Sequence, residues 1–91
     1  MNSIHDPRYR GTIKRLRRAR LERGMTQADA ARALGWQRTM LSNIETLERR
    51  ADLLETHLLC RLYGLRLSDL SAALVEGDEC VARDQQHRRT Q

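Results

Sequence analysis

Apolar residues recur at helical spacing from Ile13 to Val75, interrupted by turn residues, and the pattern predicts an all-α chain of five short helices. Ile13, Leu16 and Arg20 fall on one face of a first helix over 12–23, with Thr12 as its N-cap and Gly24 in the left-handed stop position. Thr26 opens a second helix over 27–34, in which Ala28, Ala31 and Leu34 point inward and Asp29 sits favourably in the first turn. Gly35 ends it. A third helix starts near Gln37 and carries Leu41 and Ile44 inward, with Trp36 and Leu41 in the two positions of a hydrophobic staple. Asp52 and Glu55 form a capping box for a fourth helix that closes at Tyr63-Gly64. Leu53, Leu54, Leu58, Leu59, Cys60, Leu62 and Tyr63 give this helix more apolar surface than the ~100° stripe of a one-sided surface helix. Ser68 caps a fifth helix through Leu70, Leu74 and Val75, and 76–91 is polar and aperiodic. The expected organisation is a basic arm over 1–11, a helical domain over 12–75 and a loose tail over 76–91.

Composition narrows the partner. The 91 residues fit one small domain, and 17 Lys and Arg against 12 Asp and Glu leave a net charge of +5, so the natural ligand is a polyanion. The charge is concentrated. Residues 1–23 hold eight basic groups against Asp6 and Glu22, a surplus of six, while the rest of the chain sums to −1. The longest apolar run, Ala72 to Val75, is far too short to span a membrane, and the first seven residues lack a secretory pattern, so the cytoplasm is the expected compartment. Cys60 and Cys80 share no metal-ligand spacing, and His5, His57 and His87 are scattered, so neither a metal site nor a disulfide framework is expected. No nucleophile and base set and no glycine-rich phosphate loop is found, so the chain reads as a non-enzyme without a cofactor.

The segment from Gln27 to Glu45 carries the chemistry. It sets Ala31 where two helices approach most closely, Gly35 where the chain must turn with positive φ, and Leu34, Leu41 and Ile44 beneath them, which is the spacing of a helix-turn-helix. An ordinary helical hairpin is the bland alternative. On the third helix, positions 38, 39, 42 and 43 lie together opposite Leu41 and Ile44, and all four are polar.

More of the chain resembles the lambda-repressor-like, Cro/C1-type (XRE) helix-turn-helix domain. The matching residues are Leu16 with Arg20, Met25-Thr26-Gln27, Ala31, Leu34-Gly35, Arg38, Leu41-Ser42, Ile44-Glu45, Arg49-Arg50, and Gly64 with Leu67 and Leu70. They run without a gap over about two-thirds of the chain. Three departures from the family pattern stand out. Gln37 replaces the usual Ser or Thr cap, Trp36 replaces a Val, and Thr46-Leu47 replaces a pair ending in Gly, so the third helix is expected to run past its usual stop.

The resemblance implies that the third helix enters the major groove of duplex DNA, with Arg38, Thr39, Ser42 and Asn43 at base edges. An arginine fork suits G O6/N7, and an asparagine amide suits adenine N6/N7. It implies phosphate contacts for Gln27 and Gln37 at helix starts and for Arg49 and Arg50 after the reading helix, while Arg8 and Arg10, outside the resemblance, are expected from the charge of a flexible arm to reach a neighbouring groove or phosphate. Arg20 and Glu45 are implied to be a structural ion pair between the first and third helices. The function expected is a transcriptional regulator, associated with the nucleoid, acting as a homodimer on a palindromic operator through Leu54, Leu58, Leu70, Leu74 and Val75. A toxin or RNA polymerase is a further conceivable partner. The rival reading is an antitoxin of the same fold, for which the tail with Cys80, Val81 and Ala82 would fold on a toxin.

Overall fold

In the computed structural model, which describes residues 4–75, the chain forms four helices, α1 (Pro7–Glu22), α2 (Gln27–Leu34), α3 (Arg38–Glu45) and α4 (Leu53–Tyr63), followed by α5 over 67–75. No strand occurs among the described residues. The tail over 76–91, with Cys80, His87 and the toxin-binding role considered for it, lies outside them.

The local signals act where helices start and stop. Thr26 and Asp29 form a reciprocal capping box on α2, and Asp52 and Glu55 do the same on α4, so two orphan N–H groups are satisfied at each end. Gly35 (φ 72°) and Gly64 (φ 74°) close those two helices in the left-handed conformation. Gly64 has a second reason to lack a side chain. The Arg23 guanidinium, whose Nε donates to the Tyr63 carbonyl at 3.0 Å, lies 2.0 Å from where its Cβ would be.

Three helix boundaries differ from the sequence expectation. The first helix starts at Pro7, not after Thr12, because Asp6 accepts the Arg8 N–H at 2.8 Å and Pro7 needs no N–H at the first helical position. Thr12 spends its hydroxyl on the Arg8 carbonyl, 2.9 Å away within the helix. Residues 7–11 are therefore helix and not arm. The third helix does not run on. Leu47 adopts φ 66°, its N–H donates to the Ile44 carbonyl at 3.2 Å, and the Glu48 N–H donates to Asn43 at 2.9 Å, which together make a Schellman stop with leucine in the glycine position. The fifth helix begins at residue 67, with Arg66 and not Ser68 in the capping position, because the Asp69 carboxylate reaches back to the Arg66 N–H at 2.8 Å.

The core is assembled from all five helices: Ile13, Leu16 and Ala19 of α1, Ala30 and Ala31 of α2, Leu41 and Ile44 of α3, Leu59, Cys60 and Tyr63 of α4, and Leu70 of α5. Ala30 and Ala31 are 0% and 2% exposed, so the backbones of α2 and α3 approach through small residues. Ala28 and Leu34, also expected inward, are half-buried. Leu70 is 3% exposed, which removes it from the expected dimer surface: it is spent anchoring α5 to the core. Leu58 is half-buried, whereas Leu53, Leu54, Leu67, Leu74 and Val75 are exposed.

Candidate nucleic-acid interface

The helix-turn-helix is held together by one carboxylate. Glu45, at the last turn of α3, accepts from Arg20 Nε at 2.7 Å and from Arg20 Nη2 at 2.9 Å, a bidentate pair in which both side chains are 6% exposed. This pairing raises the basicity of the Arg20 guanidinium further, and its remaining Nη1 donates to the Met25 carbonyl at 2.8 Å. Glu45 also accepts from Gln27 Nε2 at 3.0 Å, and Arg17 Nε stands 3.7 Å away on the exposed side. One acid therefore joins α1, α2 and the end of α3. Tyr63 lies beside the pair, and burial pushes its phenol well above the ordinary range. Its hydroxyl has no hydrogen-bond partner.

Gln27 carries the frame forward to the reading face. Its Oε1 accepts from Arg38 Nη1 at 3.4 Å, so the exposed arginine at the start of α3 is linked through one amide to Glu45 and Arg20. The amide expected to meet a phosphate is thus already engaged between two side chains, while the start of α2 stays half-open to solvent. Arg38 and Thr39 are exposed, and Ser42 and Asn43 are half-buried on the same side. Met40 is half-buried and packs against the core. Gln37 caps α3 with its backbone only, because its side chain makes no capping bond, and the amide is left exposed at that helix start.

The segment after α3 is fastened at two points. Arg49 donates to both Glu55 oxygens, at 2.9 and 2.8 Å, and holds that carboxyl below its ordinary pKa. The Arg50 guanidinium lies 5.5 Å from the centre of the Tyr9 ring, and the Tyr9 hydroxyl accepts the Ala51 N–H at 2.9 Å. Arg8, expected in a mobile arm, is paired with Asp6 at 3.0 and 2.8 Å. Arg10 is exposed on α1. The structure therefore joins Gln27 to Arg38, leaves Gln37 and Thr39 exposed beside them at the start of α3 with Ser42 and Asn43 half-buried further along it, and fixes Arg49 and Arg50 on the connection to α4. Two contributions were not anticipated from the sequence: Arg17, one helical turn before Arg20 on α1, and Tyr9, which the expected arm concealed.

A five-helix domain whose second and third helices pack through small residues around a left-handed glycine turn is a lambda-repressor-like helix-turn-helix fold. The model of the Cro/C1-type helix-turn-helix (XRE) family matches residues 16–70, and the chain belongs to that DNA-binding family. No significant similarity to a curated protein or to a solved structure was found. No described helix is long and apolar enough to cross a membrane.

Proposed function

We propose that this protein is a sequence-specific, non-enzymatic transcriptional regulator that reads duplex DNA as a homodimer on a two-fold symmetric operator in the cytoplasm. The observation that carries this reading is the polar face of α3. Arg38, Thr39, Ser42 and Asn43 project away from the core, while the opposite face is locked by Leu41, Ile44 and the Glu45 pairs. With its side chains an α-helix is about 10–12 Å across, which a major groove about 12 Å wide admits. Arg38 reads guanine through its fork and Asn43 reads adenine; Thr39 and Ser42 complete the edge. Arg10, Arg49 and Arg50, with the N–H groups at the starts of α2 and α3, set the position on the phosphates.

Dimerisation follows from size. One such module buries only about 600–1,000 Å² on DNA, and pairing half-sites is how small domains reach specific affinity. Leu54, Leu74 and Val75 are exposed by 43–64%, which favours this end of the molecule as the contact between copies. Selection of bound duplexes from a random pool tests the reading. It should return inverted half-sites with centres about 10 base pairs or a multiple apart, bound with an affinity that falls by about 0.9 log units per log unit of salt for each neutralised phosphate. A pool without an enriched sequence, or equal binding to RNA, would refute it.

A further inference from the structure

The flank of α1 turned toward α5 holds positive charge that the DNA interface does not use. Gly11, Lys14, Arg15 and Arg18 line a cleft of about 370 Å³ whose other wall is Asp69, Ala72 and Ala73. We propose that this cleft is a binding site for a phosphate group, held by Lys14, Arg15 and Arg18. The inference does not rest on the DNA-reading function, because Arg17 and Arg20, which reach Glu45 of α3, occupy the other flank of α1.

Three observations carry it. Arg15 Nη1 is shielded from solvent and donates to nothing, which is rare for so strong a donor; the side chain lies between this cleft and the neighbouring one lined by Glu22, Arg23 and Tyr63, so a phosphate engages it by a turn of the guanidinium toward Lys14 and Arg18. Lys14 and Arg18 are one helical turn apart, a like-charge spacing that destabilises a helix unless an anion lies between them. The acid nearest Arg18 along the helix, Glu22, is 3.4 Å from its Nε, but that pair is 66% and 64% exposed and screened by water. Finally, the charge within the cleft does not balance. Asp69 is the one acid on its wall, and one of its oxygens is committed to the Arg66 N–H. Three cations against one carboxylate leave a surplus of two, which matches a phosphate dianion better than a monovalent carboxylate, and guanidinium forks pair well with phosphate oxygens. At the end of the cleft the walls come together through small residues: a Cβ on Gly11 would stand 3.5 Å from the Ala73 carbonyl oxygen.

The test is a titration of the full chain with inorganic phosphate against chloride at matched ionic strength, read by melting temperature and by the NMR shift of the Arg15 Nε–H. The wild type should show a saturable rise in melting temperature and a saturable Arg15 shift. The double variant Lys14→Gln/Arg18→Gln, which changes only exposed side chains, should lose both and melt higher than wild type in chloride. A rise that is linear in phosphate and the same in the variant is a general salt effect and overturns the site. A second arm measures a non-operator duplex at fixed salt. Equal affinity of wild type and variant keeps the cleft separate from the DNA contact and assigns it to a small phosphorylated ligand, whereas a loss in the variant shows that Lys14 and Arg18 belong with Arg10 to the duplex contact and overturns a separate site.

Discussion

Replacing Glu45 by alanine removes the acceptor of three hydrogen bonds and the ion-pair partner of Arg17 at once, and the structure fixes how much that should cost. Arg20 would keep its bond to the Met25 carbonyl but lose two charge-assisted bonds at a site where only 6% of its side chain is exposed. A buried charge deprived of its partner typically costs about 3–5 kcal/mol. A domain of this length has about 5–10 kcal/mol in total, so Glu45→Ala should lower the urea midpoint by roughly half. Arg20→Ala strands the Glu45 carboxylate instead, with Gln27 left as its nearest donor and Arg17 at 3.7 Å. Its loss should be at the lower end of the same range. The double variant Arg20→Met/Glu45→Leu buries no charge and leaves only the Met25 carbonyl and the Gln27 amide short of a partner, so it should recover most of the stability. Urea unfolding of the two alanine variants and their combination gives a coupling free energy, expected above about 2 kcal/mol. Single losses below about 1 kcal/mol that simply add would show that the pair is solvated and that Glu45 does not organise the helix-turn-helix.

Four further outcomes are expected. Arg38→Ala should cost about 1–3 kcal/mol on the selected operator, with discrimination lost at one base pair, whereas Arg50→Ala should weaken all duplexes alike; competition binding with single-base operator variants separates them. At position 47 the helix-propensity order should invert, with Leu47→Gly more stable than Leu47→Ala by about 1 kcal/mol in thermal melts, because only the latter keeps the left-handed strain while losing the packed side chain. Leu54→Glu or Leu74→Glu should shift sedimentation toward monomer with helical circular dichroism unchanged, and a wild type that stays monomeric at high concentration would remove the proposed interface. The Asp6 carboxyl is lowered from 3.8 to about 2 by its bonds from the Arg8 side chain and backbone. A depressed acid contributes stability above its unfolded pKa near 3.8 and loses it as pH falls through about 2, so the Arg8 amide resonance should titrate at about 2 and the first turn of α1 should fray there, a transition that Asp6→Asn, which has no carboxyl to titrate, should abolish.

What the sequence made legible was whatever depends on neighbours within four residues. The capping boxes at Thr26/Asp29 and Asp52/Glu55 and the stops at Gly35 and Gly64 are complete local devices, and they define α2 and α4 without reference to the rest of the chain. Where two local signals competed, the choice turned on a distant contact. Thr12 and Asp6 are both acceptable caps, but Tyr9 meets Ala51 only if the helix already includes 7–11. Leu47 is the clearest non-local case, since a local reading of a leucine gives no reason to stop a helix. The Schellman bonds and the packing of its side chain against the core offset the strain. The Arg49–Glu55 pair crosses a loop, and the Gln27 bridge joins helices 18 residues apart in sequence, so neither has a periodicity to be read. The Arg20–Glu45 pair, 25 residues apart, was reachable through family resemblance but not through spacing.

These contacts also explain how so short a reading helix can hold its geometry. An isolated eight-residue helix has no stability in water, so α3 must take its order from outside itself. Leu41 and Ile44 fix it from beneath and Glu45 fixes its last turn to α1 and α2, while the Leu47 stop, with Arg49 on Glu55 and Arg50 on Tyr9, fixes the chain that leaves it. None of these uses the side chain of Thr39, Ser42 or Asn43. Substitution at those three positions should therefore change the sequence that is read at little cost in stability. Arg38 differs, because its tie to Gln27 couples the reading face to the buried acid. A change at Gln27 should consequently alter preference at the base that Arg38 reads, whereas changes at Thr39 or Asn43 should alter only their own. Specificity can thus be varied along one edge of α3, but at its start it is tied to the frame that keeps the domain folded.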